Sequence, residues 1–192
     1  MPYNPEIHKR HSIRLKGYDY TKEGLYFITI CIKNRECLLG IIENGEMELN
    51  EIGIIANQFW IEIPNHYPQV KLHEHIVMPN HLHGIIEIVG NDVGICHGKS
   101  LRDTTNNTVG TCHGMSQPQT QPHQRQFAKP ISGSVSTIIN QYKSAIKRWC
   151  NKNNFECFQW QSRFHDHIIR NEQSYQTIAN YIMNNPAKWQ ED

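Results

Sequence analysis

No apolar run in this chain approaches the roughly 18 residues that a membrane-spanning helix requires, and nothing at its start resembles a secretory signal. Neither sign of charge dominates. Nineteen Lys and Arg stand against 18 Asp and Glu, leaving a net charge of +1, so no overall field advertises a polyanionic partner. A local basic face stays open. The six cysteines (Cys31, Cys37, Cys96, Cys112, Cys150 and Cys157) follow no framework spacing and read as reduced thiols. Together these absences predict a cytoplasmic protein without membrane contact. Its 192 residues are enough for one domain with a substantial core.

A further absence divides the chain. From Gly90 through Gln126 there is no aromatic residue, and Gln117, Gln119, Gln121, Gln124 and Gln126 are scattered among prolines. The segment repeats itself: Val93-Gly94-Ile95-Cys96-His97-Gly98 returns as Val109-Gly110-Thr111-Cys112-His113-Gly114. A Cys-His pair used twice suggests zinc, but adjacent residues rarely aim both side chains at one ion. A low-complexity insertion over residues 90–130 is the better reading. Residues 1–24 form a second polar stretch, with Lys9, Arg10, Arg14, Lys16 and Lys22, and read as a basic arm. Such an arm is either a solvated terminus or a phosphate contact.

Between and after these segments the periodicities are clear. Leu25 to Ile32 is aromatic and β-branched, a strand. Leu38 to Ile42 and Glu46 to Leu49 flank Asn44-Gly45, a hairpin turn signal. Asn50 caps a predicted helix from Glu51 to about Ile63, where Ile52, Ile55, Ala56, Phe59, Trp60 and Ile63 recur at three- and four-residue spacing and Pro64 ends the run. Val70 to Met78 and His83 to Val89 are two strands about a Pro79-Asn80 break. Ser134 to Lys152 is a helix burying Val135, Ile138, Ile139, Tyr142, Ile146 and Trp149. Its other side carries Lys143, Lys147, Arg148 and Lys152 with no acidic residue, as compatible with a nucleic-acid contact as with a solvated face. Ser174 is the expected cap of a last helix ending near Asn184. A helix set among antiparallel strands in this order predicts an α+β fold, with helices on one face of the sheet and the other face free for substrate.

Chemistry concentrates in two places. His81 and His83 are two apart at the mouth of a strand, so both imidazoles project from one face, a geometry that suits divalent metals. On the last helix Tyr181 and Asn185 are four apart and share a face, with Pro186 biasing Asn185 away from helical angles. A phenol and an amide from one helix can meet two imidazoles from a sheet: Asn185 as a further metal donor, Tyr181 as a nucleophile. A free phenol titrates near 10 and needs activation. The plainer alternative is a tyrosine that caps the core and an asparagine that ends a helix. Between these places, Arg163 and Arg170 in Trp160 to Arg170 can grip a phosphate bidentately.

These pieces, in order, resemble the HUH-type single-tyrosine transposases, and most closely the REP-associated tyrosine transposases. The matching segments are the strand Tyr26–Ile32, then Met78-Pro79-Asn80-His81-Leu82-His83-Gly84, then Trp160 through Arg170, then Tyr181-Ile182-Met183-Asn184-Asn185-Pro186. The resemblance implies a ferredoxin-like palm, an RRM-like antiparallel sheet bearing His81 and His83, with Tyr181 as nucleophile and Asn185 as third ligand. The insertion-sequence relatives often have Gln at the position of Asn185, one methylene longer. It further implies a Mg²⁺ or Mn²⁺ ion, single-stranded DNA with a foldback hairpin as substrate, and cleavage and rejoining through a 5′-phosphotyrosine. Arg14, Lys16, Lys143, Lys147, Arg148, Arg163 and Arg170 are the candidate DNA contacts. A nucleoid-associated location follows from such a substrate, and a homodimer is one assembly open to it. Tyr142 competes as nucleophile but has Ile146, not an amide, four residues on. Two other functions fit the same residues: a cleavage-inactive hairpin-binding protein, and a metal-dependent phosphohydrolase using water with His165 and His167.

Overall fold

The computed structural model describes residues 18–90 and 131–189. The insertion over 90–130, apart from Gly90, and the arm up to residue 17 lie outside them, as do Arg14 and Lys16. Six strands and four α-helices are described: β1 (Gly24–Cys31), β2 (Gly40–Glu43), β3 (Glu46–Leu49), α1 (Glu51–Ile61), α2 (Ile63–His66), β4 (Val70–Val77), β5 (His81–Ile88), α3 (Val135–Lys152), β6 (His165–Ile169) and α4 (Glu172–Met183). The main sheet has the order β4-β5-β1-β6, every pair antiparallel. With α1 before β4 and α3 before β6, this is the ferredoxin-like βαββαβ arrangement. The hairpin β2–β3 is a separate two-stranded ribbon between β1 and α1. Its turn residues Asn44 and Gly45 both have positive φ, 53° and 80°, as the Asn-Gly signal requires.

Strict alternation in β1 buries Tyr26, Ile28 and Ile30 on one face of the sheet. Leu82, Ile86 and Ile88 join them from β5, and α1 and α3 lay Ile52, Ala56, Trp60, Ile138, Ile139, Tyr142 and Ile146 against them. Each such large side chain, fully buried, contributes about 1.5–3 kcal/mol. Right-handed crossovers explain why both helices reach the same face. Asn50 caps α1 as expected, its Oδ1 accepting from Gly53 N at 3.0 Å. Pro64 does not end the helical course. It occupies the first turn of α2, where its missing N–H costs nothing.

The second face is not left wholly open. The last helix, α4, covers one end of it, packing Ala179 and Ile182 with Ile85 and Ile169, and with Leu25, Phe27 and Ile76 around them. The alternation of β1 makes this inevitable, because Leu25 and Phe27 point away from α1 and α3 and need a cover. The cap of α4 is Asn171 rather than Ser174: its Oδ1 accepts from Ser174 N at 2.8 Å. Both residues are good caps. The helix begins at the earlier one because β6 ends at Ile169 and the chain must turn at once. Between Leu72 and His75 the β4–β5 ladder slips by a bulge, so His73 and Glu74 together oppose Ile85.

A candidate active site at the end of the central strands

The face under α4 becomes polar toward the ends of β1 and β5. Antiparallel register places Thr29 opposite His83 and Cys31 opposite His81, and directly opposed residues share a face. The His81 and His83 rings lie 4.4 Å apart between centroids, edge to face. Each is held through Nδ1, His83 by Thr29 Oγ1 at 2.8 Å and His81 by Asn80 Oδ1 at 2.6 Å. A turn fixes Asn80, since Met78 N bonds His81 O and Ile32 N bonds Asn80 O. Phe27 stacks on the His83 ring at 5.3 Å.

From α4, Tyr181 brings its hydroxyl to 3.3 Å from His83 Nε2, with ring centroids 5.3 Å apart. Ninety-eight residues of chain separate the two. The phenol is half exposed, at 47%, while His83 is buried at 5%. Past α4, Asn185 opens a short 3₁₀ turn over Pro186–Lys188. It adopts helical angles (φ −61°, ψ −44°) in spite of the following proline, because the helical course resumes directly as that turn. Asn185 is thus bracketed by Tyr181, four residues before, and by Trp189, four after, whose ring stands 6.0 Å from that of His81.

Burial holds both imidazoles neutral. It pushes His83 down to about 3, with His81 adding to the effect, and His81 down to about 4, with the Arg35 charge adding to it. His81 Nε2 is buried and has no hydrogen-bond partner. Leaving a buried acceptor unpaired costs about 1–3 kcal/mol. Two neutral rings side by side, each anchored through Nδ1, can offer their Nε2 atoms to a divalent cation. The donor set therefore fits a metal. No cluster of three or more His, Cys, Asp or Glu side chains is gathered for one among the described residues, so any further donor must come from an amide, the substrate or water.

A second polar cluster fixes α4 from its first half. Tyr175 donates to Glu74 Oε2 at 2.7 Å and meets His73 Nδ1 at 3.3 Å, while His73 Nε2 is paired with Glu87 at 2.9 Å. The hydrogen bond to Glu74 raises the Tyr175 phenol to about 12. This anchor lies six residues before Tyr181.

The remaining sequence candidates fall in three places. His165 is opposite Thr29 and His167 opposite Phe27, so both lie on the face of the histidine pair, exposed on the edge strand. Arg163 is exposed just before that strand, and Arg170, just after it, lines a depression with Tyr20, His167 and Asn171. Lys143 and Lys147 are turned onto the 156–163 loop instead of outward. Lys143 Nζ donates to Gln161 O and Arg163 O at 2.6 and 3.2 Å, and Lys147 Nζ to Glu156 O and Phe158 O, both at 2.8 Å. Arg148 lines a groove of about 600 Å³ between α3 and the α1–α2 segment, on the far side of the sheet from the pair. Tyr142 is buried, with its hydroxyl on Ala56 O at 2.9 Å, and so packs as its spacing suggests.

Sequence reasoning did not single out Thr29, Asn80, Arg35, Phe27 or Trp189. Thr29 carried a signal, as the one aliphatic hydroxyl in an apolar strand. Arg35 carried none: it follows β1 in a turn where Asn34 and Arg35 both have positive φ (56° and 57°), and its charge acts on both His81 and Cys31.

No protein-family model matches the chain. A Haemophilus influenzae protein named only "Uncharacterized protein" is 43% identical over 191 residues, covering 99% of this chain and 95% of that one. A REP-associated tyrosine transposase, solved bound to a REP hairpin, superposes with a TM-score of 0.54 at 19% identity over 91% of this chain and 73% of that one. Among the described residues no helix is long and apolar enough to cross a membrane. The chain therefore belongs to one family with the Haemophilus influenzae protein, and its fold is that of the REP-associated tyrosine transposases.

Proposed function

We propose that this protein is a single-stranded DNA transposase that cleaves and rejoins hairpin-flanked strands through a 5′-phosphotyrosine on Tyr181. The observation that carries the reading is the approach of the Tyr181 hydroxyl to His83 Nε2, in a pocket where both paired imidazoles are neutral and anchored. His81 and His83 would hold a Mg²⁺ or Mn²⁺ ion through Nε2, with the Asn185 amide as a further donor. Once bound, the ion would polarise the scissile phosphate and offset charge developing in the transition state. Imidazole donors favour Mn²⁺ in intrinsic affinity.

Tyr181 supplies the nucleophile. Its oxygen forms a bond to phosphorus as the bond to the 3′-oxygen breaks, and that oxygen leaves as a 3′-hydroxyl after taking up a proton. Reversal with another 3′-hydroxyl rejoins strands, the ester bond energy being conserved in the phosphotyrosine. The phenolic proton passes to solvent, which a half-exposed side chain allows. Phe27 and Trp189 close the apolar sides of the site. Arg35, Arg163 and Arg170 are the exposed cations best placed to hold backbone phosphates near the polar face. Arg14 and Lys16 of the arm are candidates on sequence alone. The fold shared with a hairpin-bound transposase supports hairpin DNA as the partner class.

The test incubates wild type and Tyr181→Phe with a labelled single-stranded hairpin oligonucleotide and Mn²⁺, followed by a denaturing gel. A slow, metal-dependent, protein-linked band is expected only with Tyr181. Cleavage without that band would replace the reading with water-based hydrolysis, in which the exposed His165 and His167 become the residues to change. Binding with neither outcome would leave a hairpin-holding protein.

A further inference from the structure

The two imidazoles of the pair are not anchored alike. Thr29 offers His83 a hydroxyl, which donates or accepts as required. Asn80 offers His81 a carbonyl oxygen, which only accepts. His81 must therefore carry its proton on Nδ1, leaving Nε2 as a bare lone pair, and that is the atom found buried without a partner. A buried acceptor kept unpaired by a dedicated 2.6 Å hydrogen bond on the other side of its ring is a cost with no structural return. A change of tautomer would not relieve it, since an Nε2–H would have no acceptor and Nδ1 would face the Asn80 oxygen lone pair to lone pair. A cation at Nε2 would.

We propose that Asn80 is a positioning residue that locks His81 in the Nδ1–H tautomer and thereby dedicates its Nε2 to a divalent metal ion, while Thr29 fixes no tautomer on His83. The inference rests on the metal-dependent reading above. It names a difference within the pair that the residue types alone do not contain: His81 has its tautomer fixed before any ion arrives, and His83 does not.

The experiment uses the full chain labelled with ¹⁵N-histidine, with His81→Gln to identify the resonance. Long-range ¹H–¹⁵N spectra then report the tautomer in the absence of metal, and titration with Mn²⁺, followed by the paramagnetic signal of the free ion, reports affinity. Wild type is expected to show His81 protonated on Nδ1. Asn80→Ala is expected to lose that preference and to bind Mn²⁺ about 10- to 100-fold more weakly, the usual effect of removing such a supporting hydrogen bond. Asn80→Asp, which keeps an acceptor in place, is expected to restore both. A wild-type His81 protonated on Nε2, or an Asn80→Ala protein with unchanged Mn²⁺ affinity, overturns the proposal while leaving the tyrosine chemistry standing. Wild type that binds no Mn²⁺ overturns the metal reading and the proposal with it. The wild-type spectrum needs no variant, so a failure of Asn80→Ala to fold does not remove the test.

Discussion

Replacing Gly84 by alanine will destabilise the protein, although glycine in a strand is ordinarily the weaker residue. Gly84 lies one position beyond His83 and faces α1, and a Cβ there would stand 2.4 Å from Trp60 Cζ2, 2.9 Å from its Cε2 and 3.1 Å from His75 Cβ. Ordinary contact begins near 3.4 Å, so the overlap is about 1 Å against a ring with nowhere to go. Trp60 is fully buried, with Tyr142 edge-on at 5.4 Å and the His75 ring stacked at 6.2 Å. Overpacking of this kind costs about 1–3 kcal/mol, and contact with an immobile ring places it at the upper end. The lower conformational entropy of alanine returns about 0.5–1 kcal/mol. The net loss is about 2 kcal/mol, which for a chain of this length lowers Tm by roughly 4–8 °C. Thermal and urea unfolding followed by tryptophan fluorescence measure it. Trp60→Leu is destabilising alone, yet in the Gly84→Ala background it should cost less than alone, because it removes the clash. A Gly84→Ala protein as stable as wild type, or strict additivity in the double variant, would refute the packing argument.

Burial keeps His75 neutral, its Nε2 on Asn57 Oδ1, with an affinity for protons below the ordinary value of 6.5. The unfolded chain therefore binds the proton first: stability is complete above about pH 6.5 and falls as pH drops below it. His75→Gln should make that acid limb shallower in urea titrations at successive pH values, His81 and His83 supplying the rest of it, and an unchanged slope would count against a buried neutral ring. Lys147→Met should loosen the 156–163 loop, since two carbonyls lose a charged donor, at about 1–2 kcal/mol after allowing for exposure. Hydrogen exchange over that loop should rise while the salt dependence of DNA binding stays put. A slope reduced by about 0.7 would instead make Lys147 a phosphate contact.

Local patterns carried most of the fold. Alternation in Leu25–Ile32, the Asn-Gly turn, the three-four spacing of Ile52 to Trp60 and the Ser134 cap are all statements about neighbours in sequence, and each element stands where they put it. The His-x-His spacing likewise set both imidazoles on one face. What spacing does not contain is what crosses to meet an element. Lys143 and Lys147 do share a helix face, but the loop that runs beneath them, whose carbonyls accept from both, comes from residues 156–163. The cover that α4 provides, and the Tyr175–Glu74 anchor, depend on long-range docking onto an edge strand. Asn80 was in plain sight inside the motif, and only the atom it faces distinguishes it from a turn residue.

That anchor depends on a count of residues. Because His73 and Glu74 together oppose Ile85, β4 keeps Val70 and Leu72 on the α1–α3 side, sends His75 to Asn57 and Trp60 on that same side, and still presents two polar side chains to Tyr175. Shortening β4 by either residue would restore an unbroken ladder and leave every apolar residue on its proper side. The sheet would lose nothing, and the helix that aims the phenol would lose half its mooring. Chain length at this one position thus separates two properties that most core positions tie together: the ability to fold, and the ability to hold a phenol against an imidazole.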